Sequence, residues 1–285
     1  MKTRGVEISA QTGLAGVIGH PVDHSLSPRI HNAAYRAQGV DMIYLAFDVR
    51  PEGLASAVEG VRALHIRGVN VTVPHKEAVL GLLDVVDPVA SRIGAVNTIV
   101  NDEGLLLGYN TDVTGFSAAL RSVRPSGARG LSCLLLGAGG AARAVAAALV
   151  EDRARAVWVH ARTFERAAVL CVAASAWGQT ACEPVPSGRL AEVAHGADLI
   201  VNATPVGLSA SVKESAVPVD ILHSRHVVMD LVYGSLPTAL VEAARARGAV
   251  ATDGKEMLVM QAASSYRLWT GLEPPLDTMR NSIDR

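Results

Sequence analysis

The chain has 285 residues, 49% of them apolar and 19% charged, which is ample for a packed core and excludes a disordered chain. Its 26 basic and 27 acidic residues leave a net charge of −1, without the basic footprint that a nucleic-acid partner requires. Cys133, Cys171 and Cys182 lack disulfide or metal spacing and the nine histidines are dispersed, so neither a disulfide scaffold nor a metal site is expected. No early stretch reads as a signal peptide. The longest apolar region, 134–150, is broken by Gly137, Gly139, Gly140 and Arg143, and is too short to span a bilayer. These features imply a soluble cytoplasmic protein without a membrane partner, and the length suggests two domains at roughly 150 residues each.

Residues 14–19 and 42–49 read as strands. Pro51 opens a helix running to about residue 64, with Leu54, Val58 and Val61 at helical spacing. A strand over 69–73 stops at Pro74, and a helix is expected to start near Lys76. Segments 95–100 and 105–108 flank Asn101-Asp102-Glu103-Gly104, a hairpin turn. Asp112 reads as the N-cap of a helix over 113–121. After the turn-rich break Arg124-Pro125-Ser126-Gly127, a new series begins: strand 131–136, helix 141–150, strand 156–160 and a helix from Phe164. Strands 198–202 and 226–231, a helix 236–247 and a helix 255–269 complete it. The alternation implies a parallel sheet covered on both faces.

Gly137-Ala138-Gly139-Gly140-Ala141-Ala142 follows a strand and opens a helix. Gly137 permits the tight turn, Gly139 lets the backbone approach a pyrophosphate, and Ala142 lets helix and strand pack closely. A plain glycine turn is the simpler alternative. An NAD site wants an acid at the end of the next strand; here Val157 to Thr163 contains none, and Arg162, Thr163 and Arg166 stand there instead. Arginine offers a fork of donors suited to a phosphate, which points to NADP, unless both arginines are merely solvated.

Four motifs precede residue 115. Ser25-Leu26-Ser27-Pro28 places two hydroxyls where both can donate to one carboxylate at a helix start, or supplies an N-cap and a bystander. In Asn70-Val71-Thr72-Val73-Pro74-His75-Lys76, Asn70 and Thr72 share one strand face and need partners, which a polyhydroxylated ligand would supply. Only four of the 26 cations are lysines, so Lys76 at a strand end is a candidate catalytic amine as well as a candidate surface residue. Asn97 is a ligand amide or a turn amide, and Asp112 can be both cap and site residue.

Together these motifs resemble the shikimate dehydrogenase family. The likeness runs from Gly19-His20-Pro21 to the last helix and takes in Gly94-Ala95-Val96-Asn97-Thr98, Asn110-Thr111-Asp112, Asn202-Ala203-Thr204-Pro205-Val206-Gly207, Tyr233 and Met257-Leu258-Val259-x-Gln261-Ala262-Ala263. The resemblance implies an α/β protein with an N-terminal substrate domain (1–112, completed by 253–285) and a Rossmann-like, doubly wound NADP domain (113–252), with a cleft between them. It implies NADP-dependent, reversible reduction of 3-dehydroshikimate to shikimate, toward chorismate and the aromatic amino acids. Ser25 and Ser27 would bind the carboxylate. Asn70, Thr72, Asn97, Asp112, Tyr233 and Gln261 would surround the ring hydroxyls, with Lys76 and Asp112 as the catalytic pair. Gly137, Ala138, Gly139, Gly140, Ala141, Arg162, Thr163, Arg166, Thr204, Leu231 and Gly254 would hold the cofactor. The expected partner is a small cyclic polyol acid, and the chain is expected as a monomer or homodimer.

The chain departs from the family pattern at three places: Ala161 where Asn is usual, Gly234-Ser235 after Tyr233, and Glu256 where Gly is common. They leave open a paralogue acting on quinate or an amino-shikimate. A non-catalytic NADP-binding redox sensor is the alternative of another class, since a fold alone does not prove activity.

Overall fold

The computed structural model describes residues 8–208 and 214–284. It divides into two compact units, one of Met1–Thr111 with Leu258–Arg285, the other of Asp112–Met257.

In unit 1, β1 Gly13–Gly19 leads into α1 Ser27–Gln38 and β2 Met42–Asp48. A 3-10 turn at Pro51–Gly53 precedes α2 Leu54–Ala63, so the stretch read as one helix from Pro51 tightens in its first turn. Next come β3 Gly68–Val71, a 3-10 turn Ala78–Leu82, β4 Val85–Val86, α3 Pro88–Ile93, β5 Thr98–Asp102 and β6 Leu105–Tyr109. The helix expected near Lys76 is therefore only that 3-10 turn. The β5–β6 connection is a two-residue turn in which Glu103 and Gly104 both have positive φ (51° and 95°), the backbone that a tight hairpin demands.

The sheet order is β2-β1-β3-β5-β6-β4. Its β1–β2, β1–β3 and β4–β6 pairs are parallel and its β3–β5 and β5–β6 pairs antiparallel, so the parallel sheet inferred from alternation holds in unit 1 only in part; the two-residue hairpin makes β5 and β6 antiparallel. One face packs on α2 through Leu54, Val58 and Val61 against Val69, Val71 and Ile99. The other is covered by α1 and by the C-terminal part of the chain, where Val259, Ala262, Tyr266, Trp269 and Met279 meet Ala15, Val17 and Tyr44. Trp269 donates its indole N–H to the Ile99 carbonyl at 3.0 Å, and only a glycine at 68 leaves room for that ring.

Unit 2 begins with α4 Asp112–Val123, which includes Asp112 as its first residue instead of leaving it outside as a cap. The series continues β7 Ser132–Leu136, α5 Gly140–Glu151, β8 Ala156–His160, α6 Phe164–Ser175, β9 Ala181–Pro184, α7 Leu190–Gly196, β10 Leu199–Asn202, β11 Val227–Asp230, α8 Ala239–Ala246 and β12 Val250–Thr252. The chain ends with α9 Lys255–Thr270 and α10 Leu276–Asn281. The sheet order β12-β11-β10-β7-β8-β9 is all parallel. Counted within the unit this is 6-5-4-1-2-3, the doubly wound dinucleotide order, whose direction reverses between β7 and β10. β7 and β10 are buried on both faces, as central parallel strands should be. No helix among the described residues is long and apolar enough to cross a membrane, and no group of three or more His, Cys, Asp or Glu among them could hold a metal ion.

Candidate active site

In unit 1 a polar network lies beneath the sheet surface. The register sets Asn70 of β3 opposite Thr98 of β5, and Thr98 opposite Tyr109. Asn70 Nδ2 donates to Thr98 Oγ1 (3.0 Å), Ser265 Oγ (2.9 Å) and the Asn97 carbonyl (3.2 Å). Tyr44 donates its hydroxyl to Asn70 Oδ1 at 2.7 Å. Asn97 Oδ1 accepts from the Thr111 N–H at 2.7 Å, while its Nδ2 reaches Thr111 Oγ1 at 3.0 Å and Gln261 Oε1 at 3.5 Å. Gln261 is fixed in turn by donating Nε2 to the Leu258 carbonyl at 2.9 Å. Asn70, Asn97, Thr98, Thr111, Gln261 and Ser265 are all buried. Burial of so many amides and hydroxyls is tolerable only because they satisfy one another.

Of the residues read from sequence, this network joins Asn70, Asn97 and Gln261. Tyr44 and Ser265 were missed. Ser265 follows Gln261 by one helical turn, the spacing that could have found it; Tyr44 was hidden inside an apolar strand. Thr72 lies just beyond the strand, its methyl group packed against Gly19. Lys76 is half-buried in the turn after β3, and its carbonyl accepts from the Val96 N–H at 2.8 Å. That bond ties the turn to the residue before Asn97. Asp112, 4% exposed, follows Thr111 directly.

Neither serine of the Ser25-Ser27 pair is the helix cap. Leu26 holds that place without a side-chain cap bond, and the Ser27 N–H donates to Ser25 Oγ at 3.3 Å. Pro28 has no N–H, and the Arg29 and Ile30 N–H groups both donate to the Leu26 carbonyl (3.0 and 3.2 Å), so the serine hydroxyls and the helix dipole, not free backbone N–H groups, are what this helix start offers an anion.

In unit 2 the glycine loop lies at the reversal point of the sheet. Leu136 and Asn202 are register partners, and the Gly137 N–H donates to the His160 carbonyl at 2.7 Å. Gly137 has φ +113°, and a Cβ there would stand 2.9 Å from the Ala203 carbonyl oxygen, so only glycine serves. Gly139 is extended (φ −90°, ψ −172°) and caps α5 without a side-chain bond. A Cβ at Gly139 would meet nothing within 4 Å, so the glycine holds open a space in front of the helix N-terminus. Gly140 and Ala141 form the first turn, Ala138 is buried, and Ala142 is fully buried against the sheet. This bare cradle fits a pyrophosphate.

Arg162, Thr163 and Arg166 are exposed where the chain leaves β8 for α6, on the strand next to the glycine loop. His160 is engaged elsewhere: its Nδ1 lies 2.9 Å from the Val185 carbonyl. Thr204 donates its hydroxyl to Asn202 Oδ1 at 2.6 Å, and Asn202 Nδ2 reaches Asp230 Oδ1 at 2.8 Å. Asp230 also accepts from Thr238 Oγ1 (2.6 Å) and the Val232 N–H (3.1 Å); burial raises its pKa against those bonds. Gly254 packs on the Leu231 backbone so closely that any Cβ would collide with it. Tyr233 is half-buried after β11, and burial raises its phenol pKa, keeping the hydroxyl neutral. Of the departures, Ala161 and Glu256 are half-buried, while Gly234 and Ser235 are exposed.

Three family models match in order along the chain: a shikimate dehydrogenase substrate binding domain over residues 17–99, a shikimate / quinate 5-dehydrogenase over 121–231, and a shikimate 5'-dehydrogenase C-terminal domain over 254–283. The NADP(+) shikimate dehydrogenase of Moorella thermoacetica is 47% identical, over 96% of this chain and 93% of its own. The shikimate 5-dehydrogenase of Thermus thermophilus, solved with NADP(H) and shikimate, superposes with a TM-score of 0.84 at 40% identity, covering 95% of this chain and 98% of its own. A quinate dehydrogenase from Corynebacterium glutamicum, solved with NAD, superposes at 0.87 with 38% identity, over 95% and 98% of the two chains. With relatives this similar across nearly its whole length, the chain belongs to the shikimate dehydrogenase family.

Proposed function

We propose that this chain is an NADP-dependent oxidoreductase that reversibly reduces 3-dehydroshikimate to shikimate, on the route to chorismate and the aromatic amino acids. The observation that carries the reading is the buried network in which Thr98, Thr111 and Ser265 hold the Asn70, Asn97 and Gln261 amides assigned to the ring hydroxyls. It is joined in one chain to a bare glycine cradle followed by arginines. Unit 1 is read as the substrate domain and unit 2 as the NADP domain.

In this reading the Ser25 and Ser27 hydroxyls and the start of α1 hold the substrate carboxylate. Asn70, Thr72, Asn97, Tyr233 and Gln261 hold the ring hydroxyls and fix which carbon reacts. Lys76 and Asp112 carry the proton: it leaves the reacting hydroxyl as shikimate is oxidised and returns as the ketone is reduced. NADP, when bound, supplies the hydride chemistry. Gly137 to Ala141 with the α5 N-terminus receive its pyrophosphate, Arg162, Thr163 and Arg166 its extra phosphate, and Thr204, Leu231 and Gly254 line its nicotinamide end.

The test is the formation of reduced cofactor from shikimate and NADP by wild-type protein and by Lys76→Ala. Turnover in the first, absent in the second while NADP still binds, supports the reading and excludes a non-catalytic NADP sensor.

A further inference from the structure

We propose that Tyr44 is a positioning residue that fixes Asn70 as a hydrogen-bond acceptor toward a ring hydroxyl of the substrate; this rests on the reading of unit 1 as the substrate site. The neighbours of Asn70 settle which way its amide points. The Asn97 main-chain carbonyl can only accept, so the Asn70 atom 3.2 Å from it is the nitrogen. That nitrogen also donates to Thr98 Oγ1 and Ser265 Oγ, at 3.0 and 2.9 Å. Two amide hydrogens meet three acceptors, and none is left for a ligand. Asn70 Oδ1 therefore faces Tyr44, and because an amide oxygen only accepts, the Tyr44 hydroxyl 2.7 Å away must donate to it. One acceptor site remains on Oδ1. Whatever meets Asn70 there has to bring a hydrogen, as an alcohol does and a carboxylate does not.

Tyr44 itself is locked from three sides. Its ring is fully buried, stacked on His31 at 4.3 Å and flanked by Trp269 at 6.0 Å. Its strand, β2, is a sheet edge, paired among the described residues only with β1, so main-chain groups on the outer side need other partners. Asn32 supplies them. The Tyr44 N–H donates to Asn32 Oδ1 at 2.9 Å, and Asn32 Nδ2 donates to the Tyr44 carbonyl at 2.8 Å. His31 and Asn32 are successive residues of α1, the helix that starts at Ser27. One helix thus presents the proposed carboxylate site at its start and, one turn later, fixes the tyrosine that orients a hydroxyl acceptor.

Tyr44→Phe removes the hydroxyl and keeps the stacked ring. It is expected to lower kcat/KM for shikimate about tenfold, almost all of it in KM for shikimate, with KM for NADP unchanged. The discriminating readout uses 4-deoxyshikimate and 5-deoxyshikimate, which each lack one hydroxyl that does not react. For one of the two the difference between wild type and Tyr44→Phe is expected to disappear, because the hydroxyl that Asn70 accepts is gone. An equal fall on shikimate and both analogues is what a merely structural role gives, and it overturns the proposal, as does no fall at all. If wild-type protein oxidises shikimate and the penalty is uniform, this inference alone fails. If wild-type protein does not oxidise shikimate, the functional reading fails and takes this inference with it.

Discussion

His31 lies face to face on Tyr44, with ring centroids 4.3 Å apart and planes 3° from parallel. The imidazole is fully buried, neither ring nitrogen finds a hydrogen-bond partner among the described residues, and burial lowers its pKa from 6.5 to about 3. Below pH 6.5 the unfolded chain binds a proton there that the folded chain refuses. The stabilisation is therefore whole above pH 6.5 and is lost as the pH falls toward about 3. This residue alone contributes a slope of about 1.4 kcal/mol per pH unit in that window. His31→Phe keeps the stack and removes the titration. Urea denaturation at pH 7, 6, 5 and 4 should show stability falling less steeply in the variant; parallel curves would remove His31 as the cause.

The two loop glycines separate folding from cofactor binding. Gly137→Ala forces a side chain into φ +113° and against the Ala203 carbonyl, and should cost about 1–3 kcal/mol of stability. Gly139→Ala is extended and its methyl group meets no described atom within 4 Å, so its melting temperature should stay near wild type. That methyl group occupies the space assigned to pyrophosphate, and NADP affinity should fall by about tenfold or more in calorimetric titration. Unchanged NADP affinity in Gly139→Ala would move the phosphate site elsewhere.

Arg162 stands where an NAD site would have an acid. Arg162→Ala should lower kcat/KM with NADP about 10- to 100-fold, the loss expected for a charged hydrogen bond to phosphate, and leave NAD unaffected. Parallel initial-rate series with the two cofactors check this. Equal losses would make the arginine a structural residue of the α6 start.

Lys76 is assigned the proton. Lys76→Ala should reduce turnover about 10²- to 10⁴-fold, with NADP affinity and melting temperature retained. A variant that keeps a tenth of the activity would assign the proton to another group.

Much of unit 2 was legible because its signals are local. The glycine loop, the Ala-rich helix α5 and the apolar strands β7 and β10 each declare themselves within about ten residues. The elements missed, β9, α7 and β12, are short and lie at sheet edges or beside loops, where propensity is weak and tertiary pairing decides. In unit 1 the hairpin turn was readable from Asn101-Asp102-Glu103-Gly104. The 3-10 turn after Lys76 was not, because periodicity cannot tell one tight turn from the start of a longer helix. Asn70, Asn97 and Gln261 could be named from motifs. Their joining with Tyr44 and Ser265 depends on contacts 26 to 195 residues apart in sequence, which no local pattern encodes.

The most direct measurement is steady-state oxidation of shikimate and of quinate, each with NADP and with NAD, followed by the absorbance of the reduced nicotinamide. Rapid oxidation of shikimate with NADP, well above the other three combinations, is the expected result. It would make Ala161, Gly234-Ser235 and Glu256 local changes without consequence for substrate choice. A preference for quinate or for NAD, or no turnover of either acid, would contradict the assignment and make those four residues the determinants to examine.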